Sequence, residues 1–175
     1  MKKILAFAGS TSSTSINKQL VTFTAKSLKD TSFDIIDLND FSLPVFSVDK
    51  EKDGFPENAK KFNNLLDNYD GFIISLAEHN GSYTAAFKNI FDWISRINIK
   101  IFREKPMLLM ATSPGARGGA SVLASANSYF PKVGAEITAI FSLPKFYDNF
   151  KNKKIVDDEL KSELENLVIN FEKAL

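Results

Sequence analysis

The feature that most constrains this chain is an alternation. Short apolar runs are separated by longer segments whose apolar residues recur at helical spacing. A short unbroken apolar run fits a strand covered on both faces, whereas a 3.6-residue period fits a helix with one buried stripe. Runs at Lys3 to Ala8, Phe33 to Leu38, Gly71 to Leu76, Pro106 to Ala111 and Glu136 to Phe141 supply five strands. The first helix carries Ile16, Leu20, Phe23 and Leu28 near one face. The second starts at Pro56, a residue suited to a first helical turn, and buries Ala59, Phe62, Leu65 and Leu66. A third runs to about Ile97 with Phe87, Ile90, Phe91 and Ile94 inward, and a fourth ends near Val133. The last begins near Asp157, and its acidic first turn suits the helix dipole. Asn39 to Phe55 holds Pro44 and Gly54 without a clean period and reads as a loop.

Strands and helices in this order predict an α/β fold built of βα units. The simplest arrangement is a flavodoxin-like three-layer sandwich, with a five-stranded parallel sheet in the order 2-1-3-4-5. Ligands of such sheets sit outside the carboxyl ends of the strands, where the strand order reverses. A length of 175 residues predicts one domain over 1–175, with no repeat or linker.

Composition narrows the chemistry. Lys and Arg number 22 against 21 Asp and Glu, so there is no basic field for a nucleic acid or an anionic membrane. The absence of cysteine removes disulfides, thiolate metal sites and cysteine nucleophiles. His79 is the one histidine, which rules out a histidine metal cluster and argues against a Ser-His-Asp triad. Two lysines and a short apolar run at the start faintly mimic a signal peptide. The run is too short for one, and no stretch is long enough to span a membrane. A buried first strand and a cytoplasmic protein are expected.

Three unusual loops each follow a strand's carboxyl end and therefore share one edge of the sheet. Gly9 to Asn17 packs hydroxyls at every position from Ser10 to Ser15, directly before a helix. Hydroxyls and the unpaired amides of a helix N-terminus make an anion site without a cation. The loop lacks the Gly-Lys-Ser/Thr ending of a Walker A motif and the three glycines of a dinucleotide fingerprint. By itself it is equally a turn that caps a helix. Ala77 to Tyr83 offers an amide, an imidazole and a glycine, suited to the edge of a flat heterocycle. Taken singly, it is also an ordinary Asn80-Gly81 turn, with Glu78 a solvated acid. Thr112 to Gly119 carries three glycines, which admit a ligand close to backbone or simply make a tight turn.

At these residues the chain resembles the NAD(P)H-dependent FMN reductases, a family that includes quinone, azo-dye and chromate reductases. Gly9, Ser10, Ser15, Asn17 and Leu20 match its opening pattern. Glu78, Asn80-Gly81-Ser82, Lys88-Asn89 and Asp92-Trp93 match its second, and Lys105-Pro106 with Ser113-Pro114-Gly115 and Gly118-Gly119 match its third. The resemblance implies that Ser10, Ser12, Ser15, Ile16 and Asn17 hold an FMN phosphate. It implies that Ala77, Glu78, His79, Asn80, Gly81 and Ser82 line the isoalloxazine, and that Ser113 to Gly119, including Gly115 and Gly118, close the other side. Three departures stand out. Ser12 replaces the family arginine, His79 replaces a tyrosine, and Ala77 and Thr84 replace two prolines.

The activity implied is transfer of a hydride from NADPH or NADH through FMN to a quinone-like or other small electron acceptor. Because the cofactor carries that chemistry, no catalytic side chain is expected. The alternative is a flavin-binding electron carrier or redox-responsive interaction protein without its own NAD(P)H activity, which Ser12 supports. A scaffold that has lost the cofactor is a third reading. The family also implies a homodimer or homotetramer, with Lys88 and Asp92 meeting charges across the interface, although their i,i+4 spacing equally suits an exposed ion pair. The aromatic stretch Phe146 to Phe150 could form a subunit contact or a lid near the flavin, and is assigned here to a subunit contact against the plainer alternative of packing under the last helix.

Overall fold

The computed structural model describes all 175 residues. Its main sheet has five parallel strands: β1 (Lys3–Ala8), β2 (Ser32–Ile36), β3 (Gly71–Leu76), β6 (Lys105–Thr112) and β7 (Ala135–Leu143). They lie in the order β2-β1-β3-β6-β7, the expected 2-1-3-4-5 once two small hairpins are set aside. The order reverses between β1 and β3, whose registers run from Ile4 opposite Gly71 to Ala8 opposite Ser75.

Strand alternation divides the core between the two faces. Ile4, Ala6, Ile73, Leu108 and Met110 point to one side, where α1 (Ile16–Ala25) and α7 (Asp158–Lys173) cover them with Leu20, Val21, Leu164, Val168 and Phe171. Leu5, Phe7, Phe72, Ile74 and Leu109 point to the other, under α3 (Glu57–Leu65), α4 (Ala85–Ile97) and α5 (Ala120–Tyr129). Both faces of β1 and β3 are therefore dry, which is why their sequences read as unbroken apolar runs. Trp93 is fully buried on α4, and its Nε1–H donates to the Pro44 carbonyl at 2.8 Å.

Several segments expected to be irregular carry short elements. Between β2 and α3 lie a 3₁₀ turn at Leu38–Phe41 and α2 (Val48–Lys52), capped by the Ser47 hydroxyl. The expected loop after β3 contains the hairpin β4 (Glu78–His79) and β5 (Ser82–Tyr83). Past β7 come α6 (Phe146–Asn149) and a second hairpin, β8 (Phe150–Lys151) with β9 (Lys154–Ile155). Phe146 and Phe150 are buried and stacked at 4.8 Å within the core beneath α7, while Tyr147 stays exposed. The assignment of this stretch to a subunit contact is thus corrected for two of its three aromatics: apolar rings beside an uncovered helix face fill the core.

No helix is long and apolar enough to cross a membrane. Lys88 and Asp92 pair with each other at 2.6 Å on the surface of α4.

Candidate functional site

The first loop is ordered by its own hydroxyls. Ser10 Oγ accepts from the Ser12 N–H at 3.2 Å, and Ser12 Oγ accepts from the Thr14 N–H at 3.3 Å. Such short side-chain turns are the local chemistry that serine and threonine favour. Ser15 is the N-cap of α1, its Oγ accepting from the Lys18 N–H at 3.1 Å. The N–H groups of Thr11, Ser13, Ile16 and Asn17 make no hydrogen bond within the chain. Unpaired donors at the positive end of a ten-residue helix form a cradle for an anion. Asn39, just past β2, braces the loop through a 3.1 Å bond from Nδ2 to the Thr11 carbonyl.

Asn17 has a different job from the one expected of its side chain. It is 2% exposed, and its carboxamide points into the protein, where Oδ1 accepts from Thr112 N–H at 3.0 Å and from Ser75 Oγ at 2.8 Å. Its Nδ2 donates to the Thr112 carbonyl at 3.1 Å. The side chain therefore bolts α1 to the ends of β3 and β6, leaving only its backbone N–H for a ligand.

In the second loop, Asn80 and Gly81 both have positive φ (52° and 76°), as a two-residue hairpin turn requires. His79, Asn80, Gly81 and Ser82 are exposed at this tip, and Ala77 is nearly buried at its base. The Glu78 carboxylate turns towards a neighbouring helix. Its Oε2 accepts from the Val122 N–H at 2.9 Å, at the third residue of α5. The N-cap of α5 is Gly119, which has no side chain to offer, so the carboxylate of one loop caps the helix that follows another.

The third loop divides in two. Ser113 is half-buried and Gly115 exposed, and a Cβ at Gly115 would meet nothing within 4 Å. Gly118 is buried with φ 56°, and a Cβ there would lie 2.2 Å from Ser142 Oγ. That contact, and the 3.0 Å bond from Ser142 Oγ to the Gly118 carbonyl, pack Gly118 tightly against β7. Lys145 N–H donates to the Gly115 carbonyl and Phe146 N–H to the Ser113 carbonyl, which fixes the loop from below.

Thr84, which the sequence marks only as a departure from a family proline, joins two of these loops. It is buried, it caps α4 by accepting from Phe87 N–H at 3.2 Å, and its Oγ1 donates to the Gly9 carbonyl at 2.8 Å. It thus joins the second loop to the first. Sequence reasoning missed this role, and Asn39 likewise, because both depend on partners remote in sequence.

Charges near the edge are few. Asp37, at the end of β2, is held below the usual carboxylate range, chiefly by its hydrogen bond from the Lys18 ammonium and then by the Asn39 N–H. Tyr83 is pushed up to about 12 by burial first and by Tyr129 second. The structure brings Ser10, Ser12, Ser15 and Ile16 together with the exposed hairpin tip and with Ser113 and Gly115 at one sheet edge. It turns Asn17, Glu78 and Gly118 to the work of holding that edge in shape.

Residues 2–148 match the family model described as NADPH-dependent FMN reductase. A 2-hydroxy-1,4-benzoquinone reductase of Burkholderia sp is 38% identical over 120 residues, covering 67% of this chain and 64% of that protein. A quinone reductase of Escherichia coli is 32% identical over 79 residues, covering 45% and 42% respectively. The chain thus spans less than two thirds of the length of these two relatives. Among solved structures, the flavoenzyme FerB of Paracoccus denitrificans, an NAD(P)H:(acceptor) oxidoreductase, superposes with a TM-score of 0.74 over 99% of both chains at 24% identity.

Proposed function

Because the chain belongs to the NADPH-dependent FMN reductase family, we propose that it is an FMN-dependent oxidoreductase that takes electrons from NADPH or NADH and delivers them to a quinone-like acceptor. The observation that carries this reading is the cradle of free N–H groups at Thr11, Ser13, Ile16 and Asn17, set beside an exposed hairpin and an open Gly115 at one sheet edge. When bound, FMN supplies the ring that accepts a hydride from the nicotinamide and passes it on.

The residues fit that cofactor. Four backbone donors and the hydroxyls of Ser10, Ser12 and Ser15 match a phosphate that can accept many hydrogen bonds. The exposed Asn80-Gly81 tip and the exposed Gly115, with Ser113, would flank a flat ring on its two sides. The chain's own work is to hold phosphate and ring in fixed positions, with backbone donors at the ring edge favouring negative charge there. Asn17, Glu78 and Thr84 keep the three loops in register.

Relatives named quinone reductase support a small organic acceptor. We place the protein in the cytoplasm as a homodimer or homotetramer, in keeping with the family resemblance. The deciding experiment is to purify the protein, titrate it with FMN, and follow NADH and NADPH consumption with a benzoquinone. Saturable FMN binding and quinone-dependent turnover are expected. Flavin reduced by a partner flavoprotein but by neither nucleotide would instead indicate an electron carrier. Failure to bind FMN at all would sink both.

A further inference from the structure

A cavity of about 430 Å³ opens along the outer side of α1, between that helix and the β8–β9 hairpin. It touches the phosphate loop only at Ser13 to Ser15 and then runs down the helix to Ser27. At 1.5 Å per residue, the ten residues of α1 carry it roughly 15 Å along the helix, and Lys26 and Ser27 lie just past its end. Most of it therefore lies away from the flavin edge.

Its lining is chemically one-sided. Lys18, Lys26 and Lys153 contribute cationic groups, and no Asp or Glu lines it. Lys18 is occupied by Asp37. Lys26 and Lys153 take part in no ion pair, and Lys153 sits in a hairpin turn with φ 62°, flanked by the exposed Lys151 and Lys154. For a chain whose formal charge is only +1, this is a local concentration of positive charge. The floor is aromatic: Phe23, half-buried, meets Phe150 edge to face at 5.8 Å. Gln19 and Thr22 add donors and acceptors along the helix wall.

We propose that this groove binds a nucleoside phosphate, with its phosphates between Lys26 and Lys153 and its base against Phe23. The volume falls in the range of small-molecule sites and is far larger than one inorganic anion needs. Uncompensated lysines select an anion, and an aromatic floor selects a flat apolar body beside it. A nucleotide combines both, and the amide and hydroxyl groups of Gln19 and Thr22 suit its ribose and base edges.

The test uses the FMN-saturated protein, so that the phosphate loop is already filled. ADP, adenosine and inorganic phosphate are titrated separately, with calorimetry and amide-resolved NMR as readouts. ADP should bind saturably and shift the amides of Gln19, Thr22, Lys26 and Lys153. Adenosine and phosphate should each bind more weakly than ADP, and added salt should weaken ADP binding. The double variant Lys26→Glu, Lys153→Glu should lose about tenfold or more in ADP affinity while keeping its FMN affinity and circular dichroism. Absence of ADP binding, ADP shifts confined to the three loops, or unchanged ADP affinity in the double variant would each overturn the proposal. These outcomes do not touch the flavin reading, because FMN binding is measured in the same samples.

Discussion

Asn17 and Thr112 are joined in both directions: the carboxamide Nδ2 donates to the Thr112 carbonyl at 3.1 Å, and the Thr112 N–H donates back to Oδ1 at 3.0 Å. A side chain here imitates the pairing of a neighbouring strand. Asn17→Ala would leave a buried N–H, a buried carbonyl and the Ser75 hydroxyl without their partner. Each unsatisfied buried group costs about 1–3 kcal/mol, partly relieved if water enters. The variant should therefore lose about 2–4 kcal/mol of stability in urea unfolding. Its FMN affinity should fall even though the carboxamide is turned into the protein, onto Thr112 and Ser75.

Glu78 offers a second separation of holding from touching. Glu78→Ala should destabilise the protein by about 1 kcal/mol, as expected for loss of an N-terminal helix cap. Glu78→Gln keeps an acceptor for Val122 but removes the charge that favours the helix dipole, and should recover part of that loss. Hydrogen exchange should rise at the first turn of α5 in the alanine variant. Unchanged exchange there would show that the cap carries no weight.

Ser12 is exposed, and the family resemblance implies an arginine at its place. Ser12→Arg should tighten FMN binding by about tenfold, through a charge-assisted bond to the phosphate, and make that binding more sensitive to salt. Fluorescence titration at two ionic strengths reads both effects. Riboflavin, which lacks the phosphate, should gain nothing.

Stability should decline at both ends of the pH scale. Asp34, Asp37 and Asp67 are each lowered first by a hydrogen bond from Lys3, Lys18 and Arg103 respectively, and Asp70 first by the Lys3 N–H. Groups with depressed folded values add stability above the unfolded value of about 3.9, and lose it as pH falls through the folded one. The thermal midpoint should therefore drop below about pH 4, modestly, because these carboxylates are partly exposed and screened. Tyr69 and Tyr83 are raised, both mainly by burial. Their stabilisation is complete below the unfolded value of about 10 and is lost as pH rises beyond it. Tyr83→Phe should flatten part of the alkaline decline in the same melting series.

The three central strands were readable from the chain because burial on both faces left little choice of residue. Gly71–Leu76 was delimited to the residue, and Ala85–Ile97 ends where its apolar period ends. Short elements such as Val48–Lys52 and the two hairpins were not readable, since four or five residues cannot establish a period. Roles at the site divided along another line. The hydroxyl-rich loop announced itself by composition, and Asn80-Gly81 by its turn chemistry. The work of Asn17, Glu78 and Thr84 was hidden, because their partners lie 95, 44 and 75 residues away in sequence. Sequence spacing shows that a polar residue sits near a ligand edge; it does not show which way the polar atoms turn.

The bond from Thr84 Oγ1 to the Gly9 carbonyl has a kinetic meaning as well. A loop anchored to its neighbour before any ligand arrives has little searching left to do. Association should then follow collision frequency and approach angle, with one exponential phase that scales with ligand concentration. Cutting that tether with Thr84→Val should add a slower, concentration-independent phase, visible by stopped flow as the loop finds its place around the ligand.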